Sequence, residues 1–126
     1  MAPNNERPSV SVGHVTMETN QMEASAQFML AIGMRPIFRG ADVSVFELRG
    51  GTHLILMNKA TITPGDASFD LMVDDLLATH EYFTSLGFAP SPIEDRPNID
   101  HQFFQVKEPA GHSITFYSSH ASKQPV

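Results

Sequence analysis

Polar and apolar positions alternate over residues 11–18, with Val15 and Met17 on one side and His14, Thr16 and Glu18 on the other. That period of two predicts a strand with one covered face. The period then lengthens. Met22, Ala26, Met29 and Leu30 recur at helical spacing, with Phe28 and Ile32 widening the stripe. Asn20 with Glu23 three residues on reads as a capping box, Gly33 as a left-handed stop, and Pro36 as a block to continuation. Strands are expected over 37–39 and 43–48, and a fourth after Gly50 and Gly51, where Leu54 and Leu56 oppose His53, Ile55 and Met57.

The second half of the chain repeats the first. Phe69, Leu71 and Val73 oppose Ser68, Asp70 and Met72, which makes Asp70 a mid-strand carboxylate. Asp74 or Asp75 caps a helix whose apolar set is Leu76, Leu77, Tyr82, Phe83 and Leu86, and Gly87 ends it. An edge strand interrupted by Pro90 and Pro92 is expected over 88–93, a loop over 94–100, and paired strands over 101–107 and 113–117 around the turn at Gly111. One offset of 54 residues relates His14 to Ser68 and Gly33 to Gly87. The reading is a single α+β domain over 11–118, built from a βαβββ module at 11–58 and another at 67–118, with 59–66 as linker. Two such modules must pack together, and a groove between their sheets is the natural place for function. Residues 1–9 and the tail beyond Ser118 read as loose.

Composition narrows the classes of function. The 126 residues carry 8 basic and 14 acidic side chains, net charge −6, and the basic ones form no stripe. Nucleic acid and anionic membrane surfaces are therefore not expected as partners. No apolar run of membrane-spanning length and no secretory signal is readable, and there is no cysteine, so a cytoplasmic location is expected. Seven Met and nine Phe can fill a core or adapt to an organic ligand.

Several segments carry a family resemblance. FFQVKEPAGHSITFY at 103–117 resembles the closing hairpin of the vicinal oxygen chelate superfamily, with Glu108 where the family turn has Asp. LAIGM at 30–34 and FTSLGF at 83–88 are similar to the family's helix-to-strand exits. That superfamily includes glyoxalase I, extradiol dioxygenases, fosfomycin-modifying enzymes and bleomycin-binding resistance proteins. The resemblance implies that each module curls into half of an incomplete barrel, and that the modules pair in a homodimer or swap between chains. It also implies four metal-ligand positions, which fall on His14, Ile55, Ser68 and Thr115. Only His14 suits a transition metal, because alcohol oxygens are poor ligands and Ile55 has no donor. The resemblance therefore implies a branch without metal or other cofactor, binding a small organic molecule as a sequestering or resistance-type protein. The alternative it implies is a metal-dependent lyase, isomerase or dioxygenase.

The residues expected to line the groove are His14, His53, Asp70, Phe46, Phe103 and Tyr117, with Phe38 as a further aromatic candidate. His14, His101 and Asp70 are the candidates for acid–base chemistry, since an imidazole titrates near neutral pH and a mid-strand carboxylate must find a partner. His14 can equally be an inherited position doing ordinary hydrogen bonding, and His53 a rim residue. Arg35, Arg39, Arg49 and Arg96 are candidate anion contacts or plain surface groups. Glu18, Glu47, His112 and His120 are expected to face solvent.

Overall fold

The computed structural model describes residues 7–99 and 101–119, so positions 1–6, most of the tail and His120 lie outside the described residues. The element order is β1 (His14–Thr19), α1 (Met22–Ala31), β2 (Arg35–Arg39), β3 (Val43–Glu47), β4 (His53–Asn58), β5 (Leu71–Val73), α2 (Leu76–Ser85), β6 (Glu94–Arg96), β7 (His101–Lys107) and β8 (Ser113–Ser118), with short 3₁₀ turns at Arg49–Gly51 and Pro97–Ile99. Two mixed four-stranded sheets result, ordered β1-β4-β3-β2 and β5-β8-β7-β6. In each sheet the first strand runs parallel to the fourth and the rest are antiparallel. The two modules are therefore copies in topology as well as in sequence.

Both helices end as the glycines require. Gly33 and Gly87 take φ of 116° and 82°, a region costly for any residue with a Cβ. The helix starts differ. Asp75 caps α2 by accepting from the backbone N–H of Ala78 at 2.9 Å. The capping box expected at Asn20 is not formed. Gln21 is the cap residue and makes no side-chain bond there, while its own N–H donates to Thr19 Oγ1 at 2.9 Å.

Three further expectations are corrected. The edge strand expected over 88–93 is absent, and the pairing moves to β6, inside the expected loop. Ala89 has a φ of 52°, which turns the chain out of the extended region, and Pro90 and Pro92 have no N–H to offer a ladder. Ser91 between them makes the remaining link, donating its N–H to Gln105 O and accepting from Gln105 N. The first strand of the second module is also short. Ser68, Phe69 and Asp70 lie in a bend before β5, so Asp70 is exposed and not mid-strand. Finally, Leu77, Tyr82 and Leu86 are exposed, and α2 buries only Leu76 and Phe83.

One contiguous core joins the modules on the helix side of the sheets. It runs from Met17, Phe28, Met29, Phe46, Leu54 and Leu56 to Phe83, Phe104, Val106, Ile114 and Phe116. Phe28 of α1 meets Phe88 beyond α2 at a centroid distance of 4.9 Å, and Phe88 meets Phe83 at 5.9 Å. A polar chain runs beside these rings. Gln21 N–H donates to Thr19 Oγ1, whose hydroxyl is 2.7 Å from Ser25 Oγ, and Ser25 Oγ donates to Glu108 Oε2 at 2.8 Å.

The seam between the modules runs along β1. Ser68 Oγ donates to Thr16 O at 3.5 Å, and the His112 ring donates through Nε2 to Glu18 O at 2.7 Å. His112 is thus a bridge across the seam and not the solvent-facing group expected. At the other end of β1, Val12 and Val15 share a cleft with Phe69, Asp70, Leu71 and Met72. The segment before and through β5 therefore passes β1 in the opposite direction.

Candidate functional site

Each sheet has one face on the core and one open. Cross-strand partners share a face, so the buried residues identify it. On the first sheet Met17, Phe46, Leu54 and Leu56 are buried, which leaves His14, Thr16, Glu18, Val43, Val45, Glu47, His53, Ile55 and Met57 on the open side. On the second sheet Phe104, Val106, Ile114 and Phe116 are buried, and the open side carries Met72, His101, Phe103, Gln105, Thr115 and Tyr117.

This places the expected site residues one by one. His14 and His53 are register partners on β1 and β4, and their rings meet edge to face at 6.1 Å. Phe46 is a correction. It pairs with Leu54 and is fully buried in the core, so it lines no open surface. Phe103 does lie on the open face but is already covered. The Arg96 guanidinium sits 4.5 Å from its ring centroid, and Tyr117 lies 5.8 Å away. Tyr117 also meets His101 at 5.3 Å, so these four side chains form one patch on the second sheet. Asp70 stands apart from both, at the Val12–Val15 end of the seam, in a cleft of about 480 Å³ that also holds Arg49 and Thr52. A volume of that order suits a small organic molecule. A cleft of about 600 Å³ on the helix side, between α1 and the turn at Gly87, contains none of the expected site residues.

The four positions where the resemblance puts metal ligands do not make a ligand set. Ile55 lies between Thr16 and Val45 in the sheet and has no donor atom. Thr115 Oγ1 is engaged by Gln105 Nε2 at 3.0 Å. Ser68 is turned to the β1 backbone. Among the described residues no group of three or more His, Asp or Glu side chains is placed to hold a metal ion. The donors present do not fit the family's metal.

Charge on the open face of the first sheet is organised around a residue expected to face solvent. Glu47 is only one-fifth exposed, pairs with Arg35 of β2 and lies 3.2 Å from His53 Nε2 through its Oε2. The Arg35 guanidinium, and after it the hydrogen bond to His53, holds the Glu47 carboxyl below its ordinary range, and the same ion pair raises Arg35. The sequence signal was present in the alternation Val43, Val45, Glu47. What was missing was the register that sets Glu47 opposite His53. Two other candidate arginines are engaged as well, Arg39 with Glu23 at 3.1 Å and Arg49 with Asp74 at 2.8 Å.

The fold has known counterparts. A lactoylglutathione lyase from Agrobacterium tumefaciens superposes with a TM-score of 0.76 at 14% identity, covering 90% of this chain and 96% of its own. A bleomycin resistance determinant encoded on transposon Tn5 gives 0.73 at 15%, covering 89% and 100%. A bleomycin-binding protein complexed with bleomycin gives 0.69 at 14%, again covering 89% and 100%. At such identities the likeness is one of fold. No curated protein matches the sequence. Residues 11–116 match the profile of the Glyoxalase/Bleomycin resistance protein/Dioxygenase superfamily, and the chain belongs to that superfamily.

Proposed function

We propose that the domain at 11–118 binds a small organic molecule in a groove formed by the open faces of its two sheets, curved toward one another as a half-barrel, and does so without a metal. The observation that carries this is the content of the four family positions, His14, Ile55, Ser68 and Thr115, which offer one strong donor among them. His14, His53, Asp70, Phe103 and Tyr117 are the proposed contacts. A sequestering or resistance-type role is the reading supported by a groove that retains polar and aromatic contacts but, among the described residues, lacks the donor set to hold the family's metal. The bleomycin-binding relative gives that role a precedent within the fold.

The competing reading is a metal-dependent lyase, isomerase or dioxygenase. It is favoured only by the neighbouring rings of His14 and His53. One experiment separates the two. Protein grown with metals supplied and purified without chelator is analysed for its elements, then screened by thermal shift against small organic molecules. We expect far less than one transition metal per chain, and a ligand that raises the melting point in proportion to its occupancy of the folded state. His14→Ala should change stability by less than about 0.5 kcal/mol, since the residue is exposed, while weakening that ligand. One metal per chain, lost in His14→Ala, would overturn the metal-free reading and revive the enzymatic one.

We also propose a symmetric homodimer. Ile37 and Phe38 on the edge strand β2 and Met72 beside the seam are each about half exposed, and two-fold pairing is the common way to cover such a surface. Light scattering at tens of micromolar should return twice the chain mass of 13.9 kDa. A value equal to the chain mass would reject the dimer.

A further inference from the structure

The open face of the first sheet looks at first like an anion site, with two imidazoles and Arg35 on neighbouring strands. The bonding of Glu47 reverses that. Its carboxylate is claimed on one side by Arg35 and on the other by His53 Nε2. Arg35 therefore already has its counter-ion. A carboxylate kept in its charged form by a guanidinium is an acceptor only. The atom facing it must supply the hydrogen, so neutral His53 carries its proton on Nε2 and leaves Nδ1 as a bare lone pair. The other ionisable groups around this face are His14 on β1, Glu18 at the far end of the same strand, and Asp70 and Arg49 at the seam, where Arg49 is paired with Asp74. Val45, Ile55 and Met57 beside the pair are apolar and half-buried.

We propose that Glu47 is a positioning residue that fixes His53 as a hydrogen-bond acceptor, so that the open face of the first sheet selects ligands bearing a neutral O–H or N–H donor on an apolar body and discriminates against organic anions. This rests on the reading of the open face as the binding surface. If the donor is a weak acid, its proton can pass to Nδ1. The imidazolium so formed would share Glu47 with Arg35, and the ligand, which keeps the electron pair of the broken bond, would supply the balancing negative charge.

The first test needs no ligand and so can fail or succeed independently of the binding reading. At about pH 8, above the ordinary imidazole range near 6.5, two-dimensional ¹⁵N–¹H spectra of the histidine rings should show His53 in the Nε2–H form. Glu47→Gln should give a mixture, because a carboxamide can pair with either tautomer. His53 found mainly as Nδ1–H in the native chain, or unchanged by Glu47→Gln, would overturn the proposal. The second test uses three probes that share one methylphenyl body: 4-methylphenol, its methyl ether 4-methylanisole, and 4-methylbenzoate. The phenol should perturb the His53 ring signals and bind at least roughly tenfold more tightly than either of the others, a difference of about 1.4 kcal/mol. Glu47→Gln should reduce that preference several-fold and leave the ether unaffected. Equal binding of the three, stronger binding of the benzoate, or no response of His53 to any of them would sink it.

Discussion

Glu108→Ala is expected to destabilise the fold by about 3 kcal/mol, more than any other polar substitution among the described residues. The side chain is 3% exposed and both oxygens are engaged. Oε2 accepts from Ser25 Oγ at 2.8 Å, and Oε1 accepts from Ala110 N at 2.7 Å and from His112 N at 3.3 Å. All three partners are donors. Truncation leaves a buried hydroxyl and two backbone N–H groups without an acceptor, and each such group costs about 1–3 kcal/mol before water repairs part of the loss. The bond to Ser25 spans 83 positions of sequence and ties the closing turn of the second module to α1 of the first. It also terminates the polarised chain from Gln21 through Thr19, where bonds reinforce one another. Glu108→Asp separates the two duties. It can keep the turn bonds but is shorter by one methylene, so it should lose mainly the link to Ser25 and cost about 1 kcal/mol. Urea unfolding should show both effects as shifts in midpoint with an unchanged slope. A Glu108→Ala loss below about 1 kcal/mol would show that apolar contact alone holds the modules together.

The sequence carried the repeat plainly because both helix stops and both closing strands depend on local chemistry. Gly33 and Gly87 are needed where φ is positive, and alternation in 53–58 and 113–118 reports two faces directly. Faces were harder to rank where the chain alternates between two kinds of bulky residue. Phe46 looked like a ligand-stacking ring, yet its register partner Leu54 belongs to the covered face. The same missing register hid Glu47, which in isolation is a charged residue beside a glycine turn. Asp70 failed for a different reason. Ser68, Phe69 and Asp70 have the alternation of a strand, but the bend before β5 takes them out of the ladder, and only Leu71–Val73 pair with β8. The pairing of β6 was hidden by three prolines, Pro90, Pro92 and Pro97, which mark where a strand is weak without saying on which side the ladder resumes. Alternation put His14 and His53 each on the uncovered side of its own strand, and the parallel register of β1 and β4 makes them neighbours on one face.

Phe83→Ala should cost about 3–5 kcal/mol, the usual range for emptying a ring-sized site in a packed core. The ring is 1% exposed and, besides its chain neighbour Tyr82, meets three aromatic rings, Phe88 at 5.9 Å, Phe104 at 6.0 Å and Phe116 at 5.1 Å. Phe104 and Phe116 are stacked on each other at 5.3 Å across β7 and β8 and cannot both swing into the void without leaving their strands. The cavity will therefore persist and keep its full cost. For a chain of this length the loss corresponds to roughly 10–20 °C in melting temperature, a large share of the 5–15 kcal/mol a domain commonly has. Phe83→Leu retains most of the buried area and should cost about 1–1.5 kcal/mol. The location of the damage is the sharper outcome. Phe83 touches Phe88, and Phe88 touches Phe28 of α1, so the core is continuous between modules. Hydrogen exchange should then accelerate in α1 and β4 as well as in α2, β7 and β8, within a single unfolding transition. If exchange rises only in the second module while α1 keeps its native protection, the modules unfold separately. The shared core would then be a contact between two stable units and not the source of their stability.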